Sequence, residues 1–537
     1  MGKNRRRGGA QLESGWRAWV TRRSGTLFCI VSAVWIGILY HGVFGAPFLY
    51  DDLDQVANNP ALESWRAVWS KYLLRPSQLG SGFLENGGSS YRPGFWIALA
   101  LERHVFGAGP AGFHFTSLLL HWINGVLLFV LLRRLKAGVP VAALATLVWL
   151  GLPVNSEAVA WVSGQLYPLS TAFLLLALLL ALGYLRSGGW GWLAAFTGAA
   201  LLANLSHEQG VLLVAFLALG YALLEADRRP RRWALLVGFA LLADAVYVAC
   251  RLVVGTRAGG GPHHPWSAGE VFWRYIQLIV LPVHMSVERS TVVPHAALTG
   301  GAVAAWVALF ALMIVVIQLR RQAPMLAVGL SVVLVAVLPY CGFVYIYQGM
   351  AERYVYLASI GFALGITAAA AAARPVAREI AFTSLAIWMG WSAWRLMRRV
   401  EDWQDPIALY GHSLEATPES VLMNLNYGAA LQTAGRQAEA ESQYRHVISL
   451  APKDSTAYVD LESLYIEEGR LDEAIAMYKQ AVAVNPNDSN AYFDLGVMFQ
   501  QRGQDREALA FYKKVLQLKP GDQQTLLYLS KLQGVQQ

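Results

Sequence analysis

Apolar runs of membrane-spanning length alternate with short polar connectors over roughly the first three quarters of the chain, and the remainder switches to amphipathic helices with a fixed period. A helix crossing a bilayer needs about 20 apolar residues. Runs at or slightly under that length lie at 26–44, 113–132, 138–153, 166–185, 190–205, 209–225, 233–253, 301–319, 323–343, 355–373 and 379–396, which predicts about 11 spans. Two further pieces, 92–106 and 270–283, are too interrupted by polar residues to span and are expected to lie on the surface or re-enter. The run at 26–44 is longer than the core of a typical signal peptide, so it reads as an uncleaved first span behind a basic N-terminal segment, 1–25.

The connectors carry a sided charge pattern. With a cytoplasmic N-terminus, the even-numbered runs end in Arg133-Arg134 with Lys136, in Arg186, in Arg228 to Arg232, in Arg320-Arg321 and in Arg374 to Arg378, whereas 154–165 and 206–208 contain no Lys or Arg. Lys and Arg favour the cytoplasmic side, so this topology is the one expected. Arg395, Arg398 and Arg399 break the pattern locally. This orientation places Asp51, Asp52, Glu157, His207-Glu208, His263-His264 and Glu352-Arg353 together on the exoplasmic side, and an odd span count puts the C-terminal region there as well.

Composition agrees with this picture. Of 537 residues, 55% are hydrophobic and 15% charged, against about 25% charged in soluble domains. The net charge of +8 sits in short clusters between apolar runs, which argues for cytoplasmic loops and against nucleic-acid binding. Cys29, Cys250 and Cys341 all fall within apolar runs and form no disulfide or metal-binding spacing.

From Val421 the sequence repeats every 34 residues: Gly435, Gly469 and Gly503 recur at a turn, Ala440, Ala474 and Ala508 at a close helix contact, Tyr444, Tyr478 and Tyr512 in the next core layer, and Pro452, Pro486 and Pro520 at each unit's end. This resembles the tetratricopeptide repeat. Three units are predicted at 421–454, 455–488 and 489–522, preceded by a half-repeat linker at 400–420 that holds Tyr410 and Pro418, and closed by a capping helix within 421–537. Such solenoids present a concave groove to partner proteins or extended peptides.

The stretch GAPFLYDDLDQVANNPAL follows the first run directly and places Asp51, Asp52 and Asp54 at its boundary. Ionisable groups there default to function, although an Asp also commonly N-caps a following turn. Adjacent carboxylates on a helical turn diverge by about 100°, so one is able to face a substrate while the other caps a helix or binds a metal. His114 and His121 lie seven apart on one helix face, and either line the site or pack as hydrogen-bonded core residues.

That loop, together with YRPGFWIALALERHVFGAGPAGFHFTSLLLHWINGVLLF, LPVNSEAVAWVSGQLYPLSTAF, LSHEQGVLLV and ERYVYLASIGFALG, resembles the GT-C glycosyltransferases. The attached repeats bring it nearest to the transmembrane and tetratricopeptide-repeat protein O-mannosyltransferase family, over nearly the whole chain. The resemblance implies an all-α fold, a GT-C membrane domain at 26–399 with a first exoplasmic loop at 45–112, and then the solenoid. It also implies transfer of a hexose, mannose by family default, from a polyprenyl-phosphate donor to Ser or Thr of exported proteins, with inversion. The family's acidic pair falls on Asp51 and Asp52, one of them the general base and either one the ligand of any divalent metal. Asp51 is the preferred base.

Arg353 is the first candidate for the donor phosphate, oriented by Glu352 or Tyr356, and Arg92 is the second. Glu157, His207 and Glu208 are expected at the donor or its sugar, and Asn58 and Asn59 near the site. His207 stands where the family often has a basic residue. The expected partners are the bilayer, the lipid-linked sugar and an acceptor or partner protein in the groove. The membrane is a bacterial inner membrane with a periplasmic site, or that of the endoplasmic reticulum with a lumenal one. Two alternatives remain: a GT-C transferase acting on a lipid or polysaccharide, and a membrane-anchored scaffold without catalysis. A transporter fits less well, since Asp244 is the one clear mid-span charge.

Overall fold

The computed structural model describes residues 23–74, 91–223, 229–255, 265–289, 299–343 and 350–534. His263-His264 lies outside them. All regular secondary structure among the described residues is helical. The chain divides into two compact units, Met1–Asp405 and Pro406–Gln537.

In the first unit each of the predicted runs is helical over most of its described length. Pro110–Arg134, Val162–Ser187, Pro230–Val254 and Gly300–Gln322 are long and apolar enough to cross a bilayer. The run at 138–153 is not one straight helix. Val139–Leu150 stops, and Pro153–Ala160 continues at 59° to it. The remaining runs form shorter apolar helices such as Arg23–Leu39, Glu208–Leu223, Pro324–Tyr340 and Ala358–Ala372, or, for Pro375–Asp402, a longer and less apolar one. These helices make the unit an integral membrane domain. The two interrupted pieces fold as the helices Pro93–Phe106 and Ala268–Val280.

The break after Leu150 has an identifiable cause and remedy. Pro153 cannot continue the preceding ladder, and carbonyls orphaned inside a membrane protein must find donors. Asn155 donates to the Trp149 carbonyl at 2.7 Å, and Ser392 to that of Gly151 at 3.2 Å. Ser359 in turn donates to Asn155 at 3.0 Å. The bend thereby turns the Ser156–Ala160 limb, with Glu157, toward the turn Glu352–Val355 that precedes the Ala358–Ala372 helix. That helix is itself fixed by close packing: a Cβ on Gly361 would meet the backbone nitrogen of Val333 at 2.8 Å, so only glycine fits.

Basic side chains gather at the opposite helix ends and cap carbonyls there. Arg186 donates to the Arg134 carbonyl at 3.3 Å, Arg133 to Ala137 at 2.5 Å and Arg232 to Leu185 at 2.6 Å. The acidic residues singled out from the sequence lie at the other end. Arg395 and Arg399, which break the charge pattern, are at that end too, and both are bonded: Arg395 donates to Pro282 and Val283, while Arg399 pairs with Glu352 and Asp402. Arg398 pairs with Glu401.

The second unit is a stack of antiparallel helix pairs: Val421–Thr433 with Gln437–Leu450, Thr456–Glu467 with Leu471–Val484, and Ser489–Gln501 with Asp505–Leu518. Pro406–Ala416 precedes them and Gln523–Gly534 follows. Pro375–Asp402 runs past 399, and most of the stretch expected as a linker is helical. Gly435, Gly469 and Gly503 each take a positive φ near the turn, between 70° and 75°, where a side chain would be strained. Ala440, Ala474 and Ala508 are fully buried. Tyr444 and Tyr512 press on Gly428 and Gly496 and donate to Gln432 and Gln500. The middle unit departs: Glu462 replaces the glycine and Ile466 the glutamine, and Tyr478 bonds Glu462 and Asp494 instead.

Candidate active site

The first loop turns sharply at Tyr50, a non-glycine residue held at φ 60°. Such a conformation costs roughly 1–3 kcal/mol and concentrates at functional sites. It separates the roles of the next two residues. Asp52 is buried, and its carboxylate is saturated: Ser163 donates to Oδ1 through its backbone N (2.7 Å) and its hydroxyl (2.5 Å), and the Leu49 N–H reaches Oδ2 at 3.4 Å. Asp52 therefore fastens the first loop onto the turn Val162–Gln165. Asp51 is only half-buried, and its carboxylate makes no hydrogen bond among the described residues. Burial pushes its proton affinity up, Arg353 opposes that and Asp54 adds to it, leaving a pKa of about 6. Asp52 is driven by burial to about 7, against the pull of its Ser163 bonds.

Arg353 sits on the turn Glu352–Val355 and is 6% exposed. Its guanidinium pairs with Glu157, whose other oxygen accepts the Arg353 backbone N–H at 2.8 Å. The cation also lies 5.2 Å from the Trp161 ring centroid and 4.8 Å from that of Tyr354. Burial disfavours its charge, but Glu157 more than offsets this and holds it firmly protonated. The expected orienting residues are different in the structure. Glu352 points away from Arg353, accepts from the Ser286 N–H at 2.6 Å and lies between Arg289 and Arg399. The Tyr356 hydroxyl is buried against His121 and Asn124. Glu157, expected at the sugar, is the residue that holds Arg353.

A second charged group adjoins the first through tyrosines. Tyr354 stacks on Tyr340 at 4.8 Å and lies 6.1 Å from Tyr167, whose ring is 4.4 Å from His207. There Glu208 accepts from Arg92 at 2.8 Å, with Arg251 at 4.0 Å. Arg92, Arg251 and Glu208 are each about a quarter to a third exposed. Burial raises the Glu208 pKa, but Arg92 and His207 outweigh it and leave the group at about 2. Burial and Arg92 hold His207 neutral, near 3. Among the described residues two arginines thus face this one carboxylate, all three partly open to solvent.

The remaining candidates make these contacts. His114 reaches the Ala46 carbonyl at 3.1 Å, and His121 bonds Tyr356 and the Leu150 carbonyl, so both are buried and hydrogen-bonded. Asn59 caps the turn Pro60–Glu63 and bonds Tyr72, while Asn58 is exposed. Among the described residues no group of three or more His, Cys, Asp or Glu is placed to hold a metal. A metal at Asp52 would have to displace the Ser163 bonds, which leaves Asp51 as the carboxylate with free oxygens. Sequence reasoning missed Ser163, Trp161, Arg251 and Glu102. Glu102 is 4% exposed, is bonded by Gln165, and is pushed up to about 8 by burial.

Two local predictions follow from the anchor. Asp52→Ala strips the Ser163 N–H of its acceptor, so about 1–3 kcal/mol of stability should be lost and the loop's amides should exchange faster by mass spectrometry. Gly164 lies in the same turn, and a Cβ there would meet the Glu157 carbonyl oxygen at 2.6 Å. Gly164→Ala should lower the melting temperature of the detergent-solubilised protein. An unchanged value would show that the turn yields freely.

Comparisons with known proteins bear on both units. Sequence models described as TPR repeat and tetratricopeptide repeat match residues 463–502 and 491–525. A protein O-mannosyl-transferase of Caenorhabditis elegans is 23% identical over 437 residues, covering 77% of this chain and 61% of that protein. Protein O-mannosyl-transferase Tmtc1 of Drosophila melanogaster is 26% identical over 46% of this chain and 31% of its own. Human TMTC2, another protein O-mannosyl-transferase, is 29% identical over 33% and 22%. The matches therefore span under two thirds of these relatives' lengths. Among solved structures, ArnT from Cupriavidus metallidurans bound to undecaprenyl phosphate aligns over 82% of this chain and 80% of its own, at 14% identity and a TM-score of 0.41. A MamA crystal structure covers 22% of this chain at 26% identity and a TM-score of 0.21.

Proposed function

We propose that the protein is a membrane glycosyltransferase that moves a hexose, with mannose favoured, from a polyprenyl-phosphate carrier to Ser or Thr hydroxyls of exported proteins. The observation that carries this reading is Asp51: a carboxylate with no hydrogen bond among the described residues, beside a buried arginine, at the end of the spanning helices. As the acceptor oxygen attacks the anomeric carbon, Asp51 takes its proton. The bond from that carbon to the phosphate oxygen breaks, and the phosphate leaves with the electron pair. One displacement inverts the centre. Arg353 stabilises the ionised Asp51. The partly exposed Arg92 and Arg251 suit the departing phosphate better than Arg353, which is committed to Glu157.

The site faces the exoplasmic side, the periplasm or the lumen of the endoplasmic reticulum, because the basic helix ends lie opposite. The solenoid recruits the acceptor or a partner protein. Offering the purified protein mannose on a polyprenyl phosphate, glucose on the same carrier, or mannose on a nucleotide tests the donor class. Label entering protein from the lipid-linked mannose alone is expected. Label from the nucleotide sugar without any lipid would overturn the reading.

A further inference from the structure

The arginines that break the sided charge pattern have a use beyond capping. Glu352 is fully buried, with Arg289 at 3.7 Å on one side and Arg399 at 3.7 Å on the other. Its Oε1 takes the Ser286 N–H. The strands of chain around it are laced together: the Arg289 N–H bonds the Met350 carbonyl at 3.1 Å, Ser286 bonds the Glu288 carbonyl, and Arg395 holds the Pro282 and Val283 carbonyls. The residue after Glu352 is Arg353, which faces Glu157, Trp161, Tyr167, Tyr354 and Asp51. One short turn is thus gripped by two ion-pair sets of opposite sense. Glu352 is held between arginines from the 282–289 segment and from the last helix of the unit, and Arg353 by the bent limb. The turn's own backbone bonds are few and long, Tyr354 N–H to the Ala351 carbonyl and Tyr356 N–H to the Arg353 carbonyl, both at 3.3 Å. Its register therefore leans on these side chains.

We infer that Arg289 and Arg399 are positioning residues, which grip Glu352 from two sides and so set where Arg353 stands relative to Asp51. The clamp itself stands on the geometry of the turn; its consequence for sugar transfer rests on the transferase reading above. Arg399 is the better probe, since it is 2% exposed and lies on the last helix, three residues before Asp402. Losing it leaves Glu352 buried with a single arginine. The turn then loosens, Arg353 withdraws from Asp51, and Asp51 holds its proton to higher pH.

The test uses the full-length protein in detergent, with Arg399→Met and Arg399→Lys. Hydrogen exchange is read first, because it needs no activity. Arg399→Met should speed exchange at 350–357 by about tenfold, the order expected when a coupled ion pair is lost, and leave 166–187 and the repeats unchanged. Arg399→Lys should restore most of the protection. The pH–rate profile follows where transfer is measurable: Arg399→Met should move the acid limb upward and lower kcat with little change in the donor KM. Unchanged exchange at 350–357 would overturn the clamp, as would global loss of protection that Lys does not restore. Local loosening with an unmoved acid limb would keep the clamp but overturn its action on Asp51. Local loosening in a protein with no transfer at all would overturn the transferase reading alone.

Discussion

Asp51→Asn should cut sugar transfer by about 10²–10⁴-fold, the range for removing a general base, while the folded protein and its donor binding persist. The side chain has no hydrogen bond to lose among the described residues, so the isosteric amide changes chiefly its charge beside Arg353. Asp52→Asn is the informative contrast. It keeps the shape but weakens the acceptor for Ser163, so its losses should appear in stability and loop order before they appear in chemistry. The base works only when ionised. With burial lifting Asp51 to about 6, the wild-type rate should be full near neutrality and fall as pH drops through about 6, and not near the ordinary value of an exposed aspartate. A flat profile down to pH 5 would remove Asp51 from the role.

Glu157→Gln should produce the largest loss of stability. It removes the carboxylate that pairs with the buried Arg353 and leaves only the more distant Asp51 to oppose that charge, at a cost of about 3–5 kcal/mol. Two aromatic faces, Trp161 and Tyr354, recover a fraction of that. The double variant Glu157→Met/Arg353→Met should regain much of the melting temperature, because a packed apolar pair costs less than a lone buried ion. It should regain no transfer, since Asp51 then lacks the cation that keeps it ionised. Recovery of both would mean that the pair serves the fold alone. A thermal scan and a transfer assay on the wild type and the two variants separate these outcomes.

The solenoid was legible because it repeats: a glycine, an alanine and a tyrosine at fixed intervals define both the turn and the core. The basic connectors mark one set of helix ends, and the acids gather at the opposite ends. The pairing of Glu157 with Arg353 was not, because the two lie 196 residues apart and only the bend at Pro153 brings them together. Sequence neighbours misled for a related reason. Glu352 adjoins Arg353, yet on a tight turn adjacent side chains diverge, and it pairs with Arg289 and Arg399; Tyr356, three residues on, bonds His121 and Asn124. The useful signal was the exception to the charge pattern. Arg395 and Arg399 break that pattern, and both are bonded at the acid-bearing end beside the site.

The most direct test of the central claim is the intact mass of a Ser/Thr-rich exported protein after incubation with purified wild-type protein or Asp51→Asn and polyprenyl-phosphate mannose. A gain of whole hexose units with the wild type, and none with Asp51→Asn over the same interval, is the predicted result. Equal gains with both, or no gain on protein while label enters a lipid or polysaccharide, would contradict it.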